Sequence, residues 1–173
     1  GTLVMFMQAG FAMLEGGSVR FRNVQNILLK SLTDVSIGTL GWYFLGWGFA
    51  YGGPYDDDGN LMNAGFAGTE MFAGTGFTER MADGQIEPTS TPLNWYFQWA
   101  FCSAAATIVS GGVAERVNFP GYLIYTFFMT SVIYPIVVAW TWSGNGWLQM
   151  MNGIGYMDFA GSGIVHMTGG VGA

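Results

Sequence analysis

Long stretches without charge constrain this chain more than any other feature of its sequence. No Asp, Glu, Lys or Arg occurs in residues 35–55, 88–114 or 117–157. A transmembrane helix needs about 20 predominantly apolar residues, so the last interval can hold a crossing and a connector. Only 9% of the residues are charged, against roughly a quarter in soluble domains. The sequence therefore predicts an all-α polytopic membrane protein.

Apolar runs and their polar boundaries divide the chain into five predicted spans and one long loop. We expect complete spans at 34–51, 94–114 and 119–140, partial spans at 1–14 and 159–173, and an external loop at 52–92. Arg20, Arg22 and Lys30 follow the first span, and the positive-inside rule places this connector in the cytoplasm. Both ends of the chain fall in apolar runs too short to cross a bilayer, so we expect a partial sequence.

The predicted external loop holds the surplus negative charge of the chain. Arg80 is its one basic residue, and its acids are Asp56, Asp57, Asp58, Glu70, Glu79, Asp83 and Glu87. A cation-collecting role is one interpretation, but salt screens surface charge over about 8 Å. An ordinary solvated loop is the simpler interpretation. We also predict a short surface helix at 69–82.

The only histidine of the chain, His166, lies in the last apolar run together with an acid. Asp158, Ser162 and His166 are spaced at i, i+4 and i+8, which predicts one helix face with roughly 12 Å of axial separation between carboxylate and imidazole. A titratable group so deep in an apolar segment indicates a functional site in or near a translocation path. The alternative is a packed histidine bonded to a neighbouring helix. Asp158 is also a natural N-cap for this helix.

An aromatic pair marks the start of the predicted third span. Phe97 and Phe101 are four residues apart, so they lie on one face of a helix. On spacing alone, such a pair is more often part of a core than of a binding site.

Four segments support a more specific hypothesis. In order along the chain they read MQAGFAMLEGGSVRFRNVQNILLK, FQWAFCSAAATIVSGGVAERVNF, YPIVVAWTWSGNGW and DFAGSGIVHMTGG. Together they resemble the ammonium transporters of the Amt/Mep/Rh superfamily, in particular the plant, algal and cyanobacterial branch. The resemblance implies a fold of eleven transmembrane helices, of which this chain would hold roughly helices one to five.

The resemblance also implies roles for five residues. Phe97 matches a vestibule aromatic residue, Phe101 the outer member of a phenylalanine gate, and Trp142 the vestibule tryptophan that offers its ring face to ammonium. Asp158 matches an acid that the family requires near the outer vestibule, and His166 matches a pore histidine. The family pairs this histidine with a second one from a later helix that the chain does not reach.

Two free energies, the cost of desolvating an ion and the gain from an aromatic contact, explain why such a set of residues suits ammonium. Moving a bare ion into a low-dielectric interior costs on the order of tens of kcal/mol, whereas a desolvated aromatic contact returns about 2 kcal/mol. The ion must therefore stay hydrated or leave its proton behind. Unperturbed histidine side chains change charge near physiological pH, and His166 is the only histidine here, so we expect ammonium to be recruited outside, deprotonated beyond Phe101, and conducted as ammonia along a hydrophobic, histidine-lined pore.

The sequence favours transport over other functions. An ammonium sensor of the same fold is the main alternative. An intramembrane enzyme is less favoured, because no nucleophile has a base at suitable spacing. One histidine and one acid do not argue for a metal site, and no basic stripe predicts nucleic-acid binding.

The resemblance implies the remaining properties of the protein. They are a homotrimer in the lipid bilayer of the plasma membrane, ammonium, ammonia and methylammonium as the transported species, and no cofactor.

Overall fold

The structure is a computed structural model that describes residues 1–54, 56, 62, 65–81, 85–144 and 146–173. Asp57, Asp58 and Asp83 of the predicted acidic loop lie outside these residues. The α-helices are α1 (Thr2–Ser18), α2 (Val24–Gly41), α3 (Trp47–Tyr51), α4 (Thr91–Val113), α5 (Phe119–Phe128), α6 (Tyr134–Thr141) and α7 (Thr168–Gly172). The described chain is thus predominantly helical, as the sequence predicts.

Three π-helical segments make the long helices continuous. Trp42–Gly46 joins α2 to α3, Met129–Ile133 joins α5 to α6, and Ser162–Met167 leads into α7. The second of these lies just before Pro135. Because proline has no N–H to donate to the preceding turn, the wider π-helical turn accommodates the missing hydrogen bond. Short 3₁₀ turns occupy Phe21–Asn23, Phe72–Gly74 and Met151–Gly153.

The helices pack around α4. Helix α1 contacts α4 and α2, α2 also contacts α4 and α5, and α7 lies against α4. The buried face of α4 consists largely of small residues, namely Ala100, Cys102, Ser103, Ala104, Ala105, Ala106 and Ser110. Small side chains let neighbouring backbones approach closely. Beyond them, Trp42 and Tyr134 are fully buried and their ring centroids lie 6.2 Å apart.

The connector that was predicted to include Lys30 is shorter than expected. The helix that contains the predicted span 34–51 already begins at Val24, and Lys30 is only 2% exposed within it. The Lys30 ammonium donates a 2.8 Å hydrogen bond to the carbonyl of Val117. The prediction that Lys30 lies in the connector was therefore wrong. Its ammonium group lies inside the bundle, because the Val117 carbonyl, in the connection between α4 and α5, accepts a hydrogen bond from it.

The predicted surface helix at 69–82 is also wrong. Strand β1 (Thr78–Arg80) pairs antiparallel with β2 (Ile86–Pro88) instead. Gly74 and Gly76 have φ angles of +78° and +83°. These left-handed conformations cannot continue a right-handed helix, and glycine adopts them without steric cost.

The other helix ends differ from the predicted span limits by a few residues. Helix α1 continues to Ser18, α4 begins at Thr91, and the last helical segment begins at Ser162 rather than 159. By length and composition, one helix in the described part of the chain, Phe119–Thr141, is suited to cross a membrane.

Close approach between two helices generates a first prediction. A Cβ atom added at Gly46 would lie 2.6 Å from the carbonyl oxygen of Thr130 and 2.6 Å from the ring of Trp42. We expect Gly46→Ala to lower the free energy of unfolding by about 1–3 kcal/mol, because the buried backbone must shift. Thermal unfolding in detergent measures the change.

Gly10→Ala is the matched control, since a Cβ there meets no atom within 4 Å. Equal melting temperatures for the two variants would contradict the packing argument.

Candidate functional site

Three aromatic rings form a continuous series at one end of the helices. Phe97 and Phe101, one turn apart on α4, have ring centroids 5.1 Å apart at 63°. The Phe101 ring then meets the Trp142 ring edge to face, with 5.5 Å between centroids and an angle of 78°. Edge-to-face contacts of this kind are favourable because the ring edge is positive and the face negative. The structure thus brings together three of the five residues singled out in the sequence.

A hydrogen bond extends this series to Asp158. The indole Nε1 of Trp142 donates to the backbone carbonyl of Asp158 at 2.7 Å. Trp142 lies at the end of α6, so this bond fixes its ring against a segment sixteen residues later in the chain. The orientation of the indole therefore depends on the loop that precedes the last helix.

The Asp158 side chain caps that last helix. Its carboxylate accepts four backbone N–H bonds of 2.8 or 2.9 Å, from Gly161, Ser162, Gly163 and Ile164. These amides have no partner in a preceding turn, because the helix starts there. The capping prediction for Asp158 is confirmed, with the bonded amides slightly further along the chain than expected.

This cap keeps the carboxyl group ionised. Burial raises the pKa of Asp158, but the bonds from the four backbone N–H groups outweigh it, and the net pKa lies below the usual value. Hydrogen bonds to the charged form of an acid stabilise that form. A negative charge therefore persists next to Trp142 at neutral pH.

His166 does not share a helix face with Asp158, contrary to the prediction. Asp158 precedes the helix, which begins at Ser162 after Gly161 with φ +89°. The carbonyl of Gly161 accepts bonds from the amides of both Val165 (2.9 Å) and His166 (3.0 Å). This wider turn invalidates the spacing of 3.6 residues per turn on which the shared face depended.

The surroundings of His166 also differ from those of the aromatic series. Its side chain is exposed, and no hydrogen bond joins it to another residue in the described part of the chain. The structure therefore brings together Phe97, Phe101, Trp142 and Asp158, whereas His166 lies further along the same segment.

A cavity of about 300 Å³ borders the aromatic series. It is lined by Trp47, Tyr51, Met71, Thr91, Asn94, Phe97, Gln98 and Trp142. Gln98 was not selected from the sequence, although it directly follows Phe97. Its side-chain oxygen Oε1 is buried and has no hydrogen-bond partner within the described residues. An acceptor of this kind suits a ligand that donates N–H bonds.

Metal binding has no support from the described residues. No group of three or more His, Cys, Asp or Glu side chains is placed there to hold an ion. The groups at the site are the aromatic rings, the amides of Asn94 and Gln98, the hydroxyls of Thr91 and Tyr51, and the nearby Asp158 carboxylate.

Comparison with known sequences gives a consistent family assignment. The sequence profile of the Ammonium Transporter Family matches residues 1–173. Ammonium transporter 1 member 3 of Solanum lycopersicum is 42% identical over 98% of this chain, and a putative ammonium transporter of Synechocystis is 43% identical over 99%. Ammonium transporter Amt2 of Archaeoglobus fulgidus is 42% identical over 98%. These alignments cover 34%, 35% and 34% of the respective relatives, so the chain spans about a third of their length.

Solved structures share the fold. A protein described as a sensor Amt protein superposes with a TM-score of 0.81 and 32% sequence identity, covering 98% of this chain and 39% of that one. Mep2 of Candida albicans superposes with a TM-score of 0.74 at 24% identity, covering 98% of this chain and 34% of Mep2. The predicted fold class, a part of the helical ammonium transporter fold, is confirmed.

The cap on the last helix generates a second prediction. Asp158→Ala leaves the amides at 161–164 without acceptors, so we expect the helix start to lose about 1–2 kcal/mol of stability. Hydrogen exchange of these amides, measured by mass spectrometry and corrected for intrinsic rates, should accelerate. Asp158→Asn should give an intermediate rate, and Phe159→Ala, which changes a side chain that is 99% exposed, should leave the rate unchanged.

The same cap predicts the direction of the pH dependence. Because the folded-state pKa of Asp158 lies below its usual value, its stabilisation is complete above that usual value and is lost as pH falls through the folded-state pKa. Corrected exchange at 161–164 should therefore stay constant through neutral pH and increase only in acid. A transition near neutral pH would contradict this.

Proposed function

Because this chain belongs to the Ammonium Transporter Family, whose members are integral membrane proteins, we propose that it contributes the outer recruitment site and part of the pore of an ammonium transporter. The observation that carries this proposal is the ring series of Phe97, Phe101 and Trp142. It is anchored to the ionised Asp158 by a hydrogen bond from Trp142 and borders a cavity of about 300 Å³. Aromatic faces with a nearby negative charge are suited to a small cation.

Recruitment of ammonium follows from the chemistry of the cavity. The faces of Trp142 and Phe97 attract a cation through their quadrupoles. The carboxylate of Asp158 accepts four bonds from backbone amides, so we assign it an action on the cation through its potential rather than by contact. The unpaired oxygen of Gln98 offers an acceptor for one N–H of the ion.

Deprotonation is the next step of the proposed mechanism. Beyond Phe101, the aromatic contacts cannot offset the cost of carrying an unhydrated charge through an apolar path. We place the release of the proton there and assign its transfer to His166, because imidazole groups commonly act as proton carriers. Ammonia then crosses along a hydrophobic path in which His166 is one lining residue.

We extend the proposal to the whole protein on the basis of its relatives. It acts as a homotrimer in the plasma membrane, accepts methylammonium as well as ammonium, and performs transport rather than catalysis. The relatives named ammonium transporters support ammonium as the transported species, and the homotrimer, methylammonium and the plasma membrane rest on the family resemblance.

A sensor is the second candidate function. The structure described as a sensor Amt protein covers 98% of this chain at 32% identity. In a sensor, ammonium occupies the recruitment site with little net transport. An uptake experiment separates the two functions. A full-length transporter carrying this chain is expressed in cells that lack their own ammonium uptake, and entry of labelled methylammonium is measured. Sustained uptake supports the transporter, and binding without uptake supports the sensor.

The proton-transfer step generates a third prediction. In His166→Ala, the ammonium-dependent current should fall by roughly two orders of magnitude, the scale of a lost acid–base group. Labelled methylammonium entry and current are measured in the same cells. Ser162→Ala, an exposed substitution at the start of the same helical segment, is the control. Full uptake with unchanged current in His166→Ala would remove His166 from the mechanism.

The recruitment step generates a fourth prediction. Trp142→Leu should raise KM about 2- to 30-fold, corresponding to roughly 0.5–2 kcal/mol of lost cation–π attraction, with a smaller change in maximal rate. Trp140→Leu is the matched control, because the Trp140 indole packs on Phe66 and donates to its carbonyl. A fall in maximal rate at constant KM in Trp142→Leu would argue against a binding role.

A further inference from the structure

A second polar group lies apart from the aromatic cavity, enclosed by α1, α2, α4 and α5. Its buried members include Gln8, Glu15, Lys30, Asp34, Ser103, Thr107, Ser110, Tyr122 and Thr126. The Asp34 side chain is at its centre and is 1% exposed. Within the described residues, no cation lies within ion-pair distance of it, since the Lys30 ammonium is bonded to the Val117 carbonyl. A buried carboxylate without a cation is unfavourable in its charged form.

The hydrogen bonds around Asp34 can accommodate a proton on its carboxyl group. The Thr107 hydroxyl oxygen lies 2.6 Å from Asp34 Oδ2, 2.7 Å from Gln8 Oε1 and 2.9 Å from the Ser103 carbonyl. A hydroxyl has one hydrogen to donate, and the Ser103 carbonyl oxygen can only accept. If Asp34 is protonated, its O–H donates to Thr107, and the Thr107 hydrogen is free for Gln8 or Ser103. Thr126 donates to the other carboxyl oxygen at 2.8 Å.

A route connects this acid with a cavity at the far end of the bundle. Glu15 lines a cavity of about 370 Å³ together with Ser18, Gly111 and Glu115, next to the connectors predicted to be cytoplasmic. The Ser110 hydroxyl donates to Glu15 Oε2 at 2.6 Å. The polar side chains from Glu15 inward thus lead from the cavity toward Asp34.

Tyr122 closes the gap between the two acids. Its hydroxyl is buried and lies beside both Ser110 and Asp34, yet it completes no hydrogen bond of ordinary geometry with a described residue. Buried hydroxyl groups are rarely left unpaired. A hydroxyl between Ser110 and Asp34 is suited to accept a hydrogen on one side and donate one on the other.

We propose that Asp34 is an intramembrane proton-binding site, filled from the cytoplasmic side through Glu15, Ser110 and Tyr122. A proton from water in the 370 Å³ cavity binds to the Glu15 carboxylate. The Ser110 hydroxyl and then the Tyr122 hydroxyl each accept a proton on oxygen and release their own hydrogen to the next group. The last O–H bond to form is on Asp34. One proton moves and no oxidant, reductant or other reactant takes part. This site is separate from the path assigned to ammonia.

The charge state of Asp34 affects every helix packed against it. The titratable groups that interact with it are Glu15 from α1, Cys102 from α4, and Tyr122 and Tyr125 from α5. Lys30, one turn away on α2, is bonded to the Val117 carbonyl and interacts electrostatically with Glu15 instead. Loss of the proton therefore places an unbalanced charge among four helices.

Infrared difference spectroscopy tests the proposal without requiring transport. The sample is a full-length transporter carrying this chain, reconstituted in lipid and compared in H₂O and D₂O. We expect a protonated carboxylic acid band at neutral pH that shifts in D₂O, disappears as pH is raised, and is absent from Asp34→Asn. Glu115→Gln is the control, because Arg20 and Asn23 bond its carboxylate and lower its pKa, so the band should persist.

Two outcomes would overturn the assignment. One is the absence of the band from the unmodified protein at neutral pH, and the other is its loss in Glu15→Gln with retention in Asp34→Asn. If Asp34→Asn does not fold, Thr107→Val decides, because it removes the hydroxyl at 2.6 Å from Asp34 Oδ2. The band should then shift in frequency without disappearing, and an unshifted band would exclude Asp34 as its source.

Discussion

Close backbone approach to α4 is the constraint on which the remaining structure depends. The small residues Ala104, Ala105 and Ala106 line its buried face, and α7 approaches so closely that a Cβ at Gly169 would lie 2.9 Å from the carbonyl of Ala105. In a lipid environment, van der Waals contact between such faces is a main source of helix association. The same helix positions Phe97 and Phe101 at one end and Thr107 and Ser110 further along, so its packing sets both polar regions of the molecule.

Two acids in this chain illustrate opposite solutions to the cost of a carboxylate in apolar surroundings. Asp158 is held ionised by four backbone amides at a helix start, where the unpaired N–H groups and the helix dipole favour negative charge. Asp34 instead lies within hydrogen-bond distance of hydroxyl groups from two helices, Thr107 of α4 and Thr126 of α5. The first arrangement provides a permanent charge beside an aromatic cavity. The second provides a group whose charge can be removed by one proton.

Much of the architecture was predictable from two requirements. A chain that crosses a bilayer must pair its backbone groups within each segment, which favours helices, and the side chains of each crossing are predominantly apolar, which produces long uncharged runs. The sequence-based predictions were wrong where contacts between distant segments override local sequence preferences. Lys30 and Asp34 were interpreted as marking a helix boundary, yet contacts from other helices accommodate them within α2. The hairpin of β1 and β2 replaced a predicted surface helix, because a weakly periodic segment takes the structure that its glycine turns allow.

The sequence by itself determined the helical class, the family and the identity of the aromatic and acidic residues, since these follow from composition and from motifs in a fixed order. Only the tertiary structure decided which of those residues meet. The hydrogen bond between Trp142 and Asp158 joins positions sixteen residues apart through a loop, and the wide turn at Gly161 separates Asp158 from His166 despite their regular spacing. Such geometry arises from packing and backbone hydrogen bonds between segments, which no local periodicity encodes.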